Sequence, residues 1–326
     1  MFDLIIIGAG PAGLACAIDA QKAHLRYLIV DKGCIVNSIY HYPEGMDFFS
    51  TSELLEIGNI PFTSPLSKPK REEAIEYYRR VVRHYELNLR QYHTVIDVRR
   101  KKNTFEVVSR DRLGREHHDQ TRNVVFATGF YDHPNRLNVE GEDLPHVFHY
   151  YRSPHPFFGS EVVVIGAGNS ATQVALDLYR HDANVTLVHR GADFSRGVKY
   201  WIRPDIENRV KNREIRAFFE TRVIKIEPDH IHLKQNSRRI VLKADFIFAM
   251  TGYHPDMSLL TQLGVTLKPE NDAPHINEVT HETNVPGVYV CGSIVAGRDT
   301  NKIFIENGRF HGETIVGSIL RSTPKR

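Results

Sequence analysis

Short continuous apolar runs, separated by amphipathic stretches, dominate the hydrophobic pattern of this chain. Phe2–Ile7 and Tyr27–Val30 are apolar on both faces, which predicts buried parallel strands, and Pro11–Ala23 between them predicts a helix. A second apolar run before Gly166 and the strand Asn184–Val188 repeat this order. Alternating strands and helices of this kind predict an α/β chain built of Rossmann-like three-layer domains.

The same patterning predicts elements along the rest of the chain. They are the helix Glu72–His84, the strands Val95–Val98, Thr104–Ser109, Val124–Ala127 and Gly287–Cys291, and a helix near Lys302–Leu320.

Two matching turns divide the chain. VVFATGFYDHPN (residues 124–135) is echoed by FIFAMTGYHPD (residues 246–256), and each apolar strand ends in Thr-Gly, followed by an aromatic residue and His-Pro. Such residues end a strand in a turn, where the chain can pass between domains. We therefore predict one domain of residues 130–252 and a second, discontinuous domain of residues 1–129 and 253–326.

Each predicted domain contains a glycine fingerprint between a strand and a helix. The first is Gly8-x-Gly10-x-x-Gly13, and the second is Gly166-x-Gly168-x-x-Ala171. The first glycine permits a tight turn, the second lets the backbone approach a pyrophosphate, and the third position lets the helix pack on the strand. The helix N-terminus then faces the phosphates. Two such units predict two dinucleotides, FAD and a nicotinamide dinucleotide.

An acidic residue follows the first fingerprint at the end of the second strand. Asp31 lies 18 residues beyond Gly13, close to the spacing of about 20 residues at which a carboxylate meets the adenosine ribose hydroxyls. This nucleotide is therefore predicted to be unphosphorylated on that ribose, as FAD is. The residues assigned to this part of the FAD site are Gly8, Gly10, Pro11, Ala12, Gly13, Asp31 and Lys32.

The strand after the second fingerprint ends in cationic residues instead. His189-Arg190 stands where an NAD-preferring site would carry Asp or Glu, and a guanidinium can pair with a ribose 2′-phosphate. This favours NADPH. Arg196 can contribute a second guanidinium to the 2′-phosphate, whereas the Lys199 side chain is expected to be solvated. The predicted NADPH site comprises Gly166, Gly168, Asn169, Ser170, Ala171, His189, Arg190 and Arg196.

Composition argues against several other classes. A net charge of +3 over 326 residues favours neither nucleic acid nor a polybasic membrane anchor, and the 18 histidines show no HExxH-like spacing, so no metal is expected. Leu4–Ile7 is too short for a signal peptide, and no apolar run approaches the length of a membrane span. We expect a cytosolic protein. Its cysteines, Cys16, Cys34 and Cys291, form no CxxC pair.

Several motifs resemble the low-molecular-weight thioredoxin-reductase-like flavoproteins: GAGPAGLACA (residues 8–17), ATG (127–129), GAGNSA (166–171) and VYVCGS (288–293). Longer stretches resemble the bacillithiol disulfide reductase (YpdA-type) branch: SIYHYP (38–43), FFSTSELLEIGNIPF (48–62), VFHYYRSPHPFF (147–158), FAMTGYHPD (248–256) and IFIENGRFHG (303–312). The resemblance covers essentially the whole chain. It implies a homodimeric, FAD- and NADPH-dependent reductase of the low-molecular-weight thiol system, without a CxxC in its NADPH domain.

The resemblance also implies which residues surround the flavin. His41 lies in a loop that runs beside the isoalloxazine in similar proteins, and Gly292 lets the backbone approach FAD, with Ser293 where relatives usually carry an acid. The other residues assigned to the FAD site are Val95, Thr128, Gly129 and Ile303.

One position departs from the branch. Its members carry a cysteine between the proline and glycine of the first fingerprint, and here that residue is Ala12. The nearest thiol, Cys16, lies one turn further into the helix, where stabilisation of a thiolate by the helix dipole fades. We expect Cys16 to be a packed core thiol. Cys16 and His41 are therefore candidate catalytic residues only, and the catalytic group is not assigned.

The predicted function is hydride transfer from NADPH to FAD, followed by electron transfer to bacillithiol disulfide or a partner redoxin. Three alternatives stay open. A ferredoxin/flavodoxin–NADP reductase shares the two-domain build and needs no CxxC. A flavin monooxygenase is similar around GAGNSA, but its FxGxxxH motif is not matched by VEGEDLPH (residues 139–146). A non-enzymatic redox sensor is the third.

Overall fold

The computed structural model describes residues 1–322, and these form two compact units. One unit combines Met1–His133 with the chain from Tyr253 onward, and the other is Pro134–Gly252. The chain therefore leaves the first unit once and returns to it once. Which nucleotide each unit binds remains a prediction.

The strands, in chain order, are β1 Phe2–Ile7, β2 Tyr27–Val30, β3 Leu89–Arg90, β4 His93–Arg100, β5 Phe105–Asp111, β6 Glu116–Phe126, β7 Val147–Phe148, β8 Glu161–Ile165, β9 Asn184–Val188, β10 Arg216–Phe218, β11 Thr221–Ile226, β12 His230–Gln235, β13 Arg238–Lys243, β14 Phe246–Ala249 and β15 Val288–Val290. The helices are α1 Pro11–Lys22, α2 Asn37–Tyr40, α3 Arg71–Tyr85, α4 Asn169–Arg180, α5 Arg203–Lys211, α6 Ser258–Gln262, α7 Ile305–Gly308 and α8 His311–Ser322. Short 3-10 turns cover Ser52–Leu55, His155–Phe157 and Gly292–Ala296.

The first unit is built around one seven-stranded sheet. The end of β6 pairs in parallel with β1 on one side and β15 on the other, and β1, β2 and β3 continue the parallel part. The start of β6 pairs instead with β5 in an antiparallel ribbon that β4 completes. One long strand therefore belongs to both parts of the sheet.

Alternating side chains of β1 enter two separate cores. Leu4 and Ile6 pack on the face covered by α1, α3 and α8, whereas Ile5 and Ile7 pack on the opposite face with Val288 and its neighbours. Because both faces of a parallel strand are buried, the strand is apolar throughout, as the sequence indicated.

The second unit holds a five-stranded parallel sheet in the order β10-β9-β8-β14-β7, together with an antiparallel ribbon β11-β12-β13. α4 connects β8 to β9 and packs against both strands. This is the strand–helix–strand arrangement that the second fingerprint predicted, and the Rossmann-like α/β fold class is confirmed.

Two predicted elements differ from the observed ones. The predicted strand Val124–Ala127 is only the end of β6, because the preceding residues Glu116–Gln120 are polar and lie in a largely solvent-exposed ribbon. The predicted helix near Lys302–Leu320 is two helices, α7 and α8, that break at Arg309 and Phe310. The Arg309 guanidinium donates to the carbonyl oxygens of Glu53 and Glu56, at 2.8 and 2.7 Å, which anchors the break.

Candidate functional site

The turn between β1 and α1 is closed by backbone contacts that exclude side chains. Gly8 has a φ of +114°, and a Cβ there would stand 2.4 Å from the carbonyl oxygen of Ala127. A Cβ on Gly13 would stand 2.1 Å from the carbonyl oxygen of Gly8. The first and third fingerprint glycines are therefore required by the fold itself, since the helix lies directly against the turn.

Gly10 differs from both neighbours. Apart from its neighbours in the chain, none of the described residues lies within 4 Å of the place where its Cβ would stand. Gly10 is the N-cap of α1, and no described side chain caps this helix, so its first amide groups face the same open space. An open cradle lined by helix N-terminal amides is suited to a pyrophosphate.

Asp31 ties this cradle to the end of β2. Its two carboxylate oxygens accept hydrogen bonds from the Ala9 amide at 2.6 Å and the Gly33 amide at 2.7 Å. Burial raises the pKa of Asp31, and these two amides oppose the shift. Neighbouring Lys32 pairs with Asp132 at 2.9 Å. Asp31, which the sequence predicts to bind a ribose, therefore also fixes the shape of the glycine turn.

A second segment of the first unit borders the cradle. The Thr128 hydroxyl is buried and has no hydrogen-bond partner among the described residues, which leaves it for a bound group. Gly129 has a φ of +69°, and the Ser293 hydroxyl lies 3.8 Å from the place of its Cβ. Val95 packs against the core below the sheet. The orphaned hydroxyl is a feature that a cofactor can satisfy.

The segment after β15 packs directly on the start of α1. A Cβ on Gly292 would stand 2.8 Å from the Ala12 Cβ. A Cβ on Gly308 would lie 3.3 Å from the Gly292 Cα and 3.4 Å from a methyl group of Ile303. Ala12, Gly292 and Ile303, predicted for one site from distant parts of the chain, therefore come together.

One histidine binds Gly292 and a second lies against that histidine; the sequence analysis identified neither. The Gly292 amide donates to His311 Nδ1 at 3.2 Å, and the His281 ring lies 4.1 Å from the His311 ring. Burial, together with His281, lowers the pKa of His311 to about 4. His311 is thus a neutral acceptor at pH 7. The motif HETN around His281 carried no signal, because only the fold brings it to His311.

His41 lies on an exposed loop beside a group of tyrosines. The Tyr131 hydroxyl donates to the His41 carbonyl at 3.2 Å, and the Tyr131 ring packs against Tyr42 at 4.9 Å and Tyr253 at 4.6 Å. The His41 imidazole is directed by no hydrogen bond among the described residues. The structure places the loop beside Tyr131, which in turn packs against Tyr253 of the same unit, and its contact with flavin remains a prediction.

The second glycine turn repeats the geometry of the first. Gly166 has a φ of +132°, and its Cβ would stand 2.4 Å from the carbonyl oxygen of Met250 and 3.1 Å from the Ala171 Cβ. Gly168 has no described residue within 4 Å of its Cβ position and is the uncapped N-cap of α4. A second open cradle, with Asn169 and Ser170 in its first helical turn, is therefore present in the second unit.

A loop after β9 folds back over this second cradle. The Ser195 amide donates to the Ala167 carbonyl at 2.9 Å, and the Asn169 side chain donates to the Gly197 carbonyl at 2.9 Å and accepts from the Lys199 amide at 3.0 Å. Asn169 thus fixes the loop that carries Arg196. This role was not foreseen.

Arg190 and Arg196 are both exposed, and neither guanidinium forms an ion pair within residues 1–322. Arg203, by contrast, is bound by Asp193 at 2.7 Å and Glu207 at 2.6 Å. Burial and the neighbouring Arg190 lower the pKa of His189, which is therefore neutral at pH 7. Two free guanidinium groups beside an open glycine cradle suit an anion larger than one pyrophosphate.

Comparisons with known proteins agree with this geometry. Residues 5–292 match the model of the pyridine nucleotide-disulphide oxidoreductase family. The chain is 43% identical to the bacilliredoxin reductase Bdr of Bacillus subtilis over 97% of both chains. The chain belongs to this family, in its Bdr branch. The predicted resemblance is confirmed.

Solved structures of the Bdr branch have the same fold over nearly their whole length. The bacillithiol disulfide reductase Bdr (YpdA) of Bacillus cereus superposes with a TM-score of 0.97 at 42% identity, covering 99% of each chain. The Staphylococcus aureus protein of the same description gives 0.94 at 40% identity, also over 99% of each chain. The chain is thus an oxidoreductase, and its family implies a flavin and a nicotinamide cofactor.

Two further findings concern metal binding and membrane spans. Within residues 1–322, no group of three or more His, Cys, Asp or Glu side chains is placed to hold a metal ion. No helix of this part of the chain is both long and apolar enough to cross a membrane. The two open glycine cradles, each within its own unit, are the candidate cofactor sites of this family member.

Proposed function

We propose that the chain is an NADPH-dependent FAD disulfide reductase. The observation that carries the proposal is the pair of open glycine cradles, one in each unit, at Gly10 and Gly168. When bound, FAD would accept a hydride from NADPH and supply two electrons to a disulfide. The chain's own residues bind and orient the two nucleotides.

In the first unit, we assign FAD to the cradle that Gly8, Gly10 and Gly13 form. Amide groups of the first turn of α1 would hold the pyrophosphate, and the Asp31 carboxylate, already fixed by two amides, would accept from the ribose hydroxyls. The unpartnered Thr128 hydroxyl supports this assignment, because it needs a partner that the described residues do not supply.

In the second unit, we assign NADPH to the cradle at Gly168. An exposed Arg190 at the end of β9 would pair with the 2′-phosphate, where an acidic residue would bind the 2′-hydroxyl of NADH. Arg196, on the loop fastened by Asn169, would add a second guanidinium. His189 is neutral because burial and Arg190 lower its pKa. Its ring can therefore stack on the nucleotide or donate a hydrogen bond to it without repelling the Arg190 guanidinium.

We further propose that the electron acceptor is a low-molecular-weight disulfide, specifically bacillithiol disulfide, or a bacilliredoxin. The support comes from two relatives of the chain, of which one is a bacilliredoxin reductase and the other a bacillithiol disulfide reductase. Cys16 and Cys291 are buried and Cys34 is half-buried, so none of the three thiols is exposed enough to pass electrons to the acceptor. Electrons would then pass to the acceptor at the flavin face. A cytoplasmic homodimer is part of this proposal.

Stopped-flow reoxidation tests the proposal. The enzyme would be reduced anaerobically with one equivalent of NADPH and mixed with bacillithiol disulfide, oxidised ferredoxin, or oxygen, while flavin absorbance near 450 nm is followed. Fast reoxidation by the disulfide supports the proposal. Fast reoxidation by ferredoxin with no response to disulfides would replace it with the ferredoxin–NADP reductase alternative.

A further inference from the structure

Cys16 and Cys291 lie at opposite ends of the chain but meet in one core. Cys291 follows β15, and its Sγ donates to the Ala12 carbonyl at 3.5 Å. Cys16 is four residues beyond Ala12 on α1 and so projects from the same face of that helix. Both thiols lie in the same buried core cluster, close enough for Cys291 to raise the pKa of Cys16. The two thiols form a pair.

The pair joins the two sequence segments of the discontinuous first unit. Cys16 belongs to Met1–His133 and Cys291 to the segment that begins at Tyr253. The whole second unit, Pro134–Gly252, lies between them in the chain. A bond between the two sulfurs would therefore close a covalent loop of chain that includes the whole second unit. It would also fasten together the two segments that border the first cradle.

Solvent is excluded from both thiols. Cys16 is 0% and Cys291 is 1% exposed, and α8 covers them so closely that a Cβ on Gly312 would stand 2.5 Å from the Cys16 Cα. The neighbouring Cys291 thiol, burial and nearby Asp19 raise the pKa of Cys16 well above its usual value. Neither thiol is therefore a ready nucleophile for a large disulfide.

The side of the pair that faces the cradle is formed by Ala12 and Gly292. Ala12, whose carbonyl oxygen accepts from Cys291, is itself partly exposed, and Gly292 packs on it without a side chain. A cofactor in the cradle would cover Ala12 and Gly292. Loss of that cofactor would expose Ala12 and Gly292, so that local opening of this segment is enough for a small oxidant to reach the pair.

We propose that Cys16 and Cys291 are a redox-convertible pair whose disulfide fastens α1 to the end of β15 beneath the FAD cradle. The oxidant is hydrogen peroxide. One thiol takes an oxygen atom from the peroxide to give a sulfenic acid and water, and the other thiol displaces the hydroxyl group as a second water. The peroxide takes up the two electrons, both thiol protons end in water, and the S–S bond forms. Disulfides of this kind in cytosolic proteins are usually redox-responsive.

The disulfide has two expected consequences. Because it closes a very long loop, it should raise the melting temperature of the apoprotein by about 5–10 °C. Because FAD shields the pair, the apoprotein should oxidise at least about tenfold faster than the FAD-loaded protein, a protection of the kind expected when a ligand suppresses local opening.

Thiol counting tests the proposal directly on the unmutated protein. Holoprotein and apoprotein would be exposed to hydrogen peroxide, quenched, denatured and alkylated, and the intact mass measured. The chain has three cysteines, so the reduced protein takes three labels and the oxidised pair leaves one, on Cys34. Dithiothreitol should restore three labels, and a proteolytic peptide should join residues 16 and 291.

Matched variants separate the pair from the third thiol. After peroxide treatment, Cys34→Ser should still lose two labels, because both thiols of the pair are present. Cys291→Ala should form no disulfide, and its melting temperature should not rise. Three labels retained in both FAD states, or a disulfide that contains Cys34, would overturn the proposal. Turnover with bacillithiol disulfide is measured separately on untreated enzyme, so the failure of either proposal leaves the other standing.

Discussion

Replacing Gly10 with alanine separates cofactor binding from folding. Gly10 has a φ of −72° and a ψ of 173°, which alanine adopts without strain, and the space at its Cβ is open. Removing a glycine gains about 0.4–1 kcal/mol by restricting the unfolded chain, and alanine at an N-cap costs a similar amount, on the order of 0.5–1 kcal/mol. The stability of the apoprotein should therefore change by less than about 1 kcal/mol.

The affinity for FAD should fall by much more than the stability of the apoprotein. The added methyl group would occupy the space through which the pyrophosphate reaches the first amide groups of α1. A charge-assisted hydrogen bond contributes roughly 1.5–3 kcal/mol, so losing one weakens FAD about ten- to a hundredfold. Calorimetric titration of the apoprotein with FAD measures the affinity, and the 450 nm to 280 nm absorbance ratio after gel filtration measures the occupancy.

Two other glycines provide controls. Gly168→Ala makes the same change at the open N-cap of α4, at a φ of −86°, and should leave FAD content intact while weakening NADPH. Gly13→Ala places a Cβ 2.1 Å from the Gly8 carbonyl oxygen and should destabilise the apoprotein itself, by roughly 1–3 kcal/mol or more. Unchanged FAD affinity in Gly10→Ala, with a folded protein, would refute the placement of the pyrophosphate.

Three further predictions concern other parts of the site. Arg190→Ala should lose most of a preference for NADPH over NADH that we expect to be ten- to a hundredfold, measured as the ratio of flavin reduction rates; equal use of both nucleotides by the unmutated protein would contradict this. Because burial lowers the pKa of His311 to about 4 in the folded state, against about 6.5 unfolded, the unfolded chain binds the proton first, and stability falls as the pH drops from about 6.5 toward 4, by up to about 3 kcal/mol. Urea unfolding should show a flatter pH dependence in His311→Asn, and an identical dependence in both proteins would exclude this histidine as the cause. Ala12→Cys should create a long-wavelength charge-transfer band with bound flavin, since a thiolate in the first turn of α1 is favoured by the helix dipole; a folded, flavin-loaded variant without the band would show that this side chain does not reach the isoalloxazine.

The sequence by itself determined the fold class and the two glycine turns. Buried parallel strands are apolar on both faces, and the fingerprint spacing follows from local backbone sterics, so Gly8, Gly13 and Gly166 could be placed without knowing what surrounds them. Asp31 was found in the same way, because its spacing is set within one strand–helix–strand unit. Family membership followed from motifs of this local kind.

Elements whose stability depends on distant partners were less visible. The polar half of β6 has no apolar run, and it is a strand only because β5 pairs with it. The break between α7 and α8 is fixed by an arginine that reaches carbonyl groups near residue 55. In both cases the local propensity was overridden by contacts from another part of the chain.

Tertiary structure alone decided which distant side chains meet. The neutral His311 behind Gly292, the unpartnered Thr128 hydroxyl and the Cys16–Cys291 pair each join segments that the sequence separates widely. Such contacts depend on the order of strands in the sheet and on the return of the chain from the second unit. Local periodicity encodes neither of these, because it reports only which face of an element is buried and never which residue lies across from it.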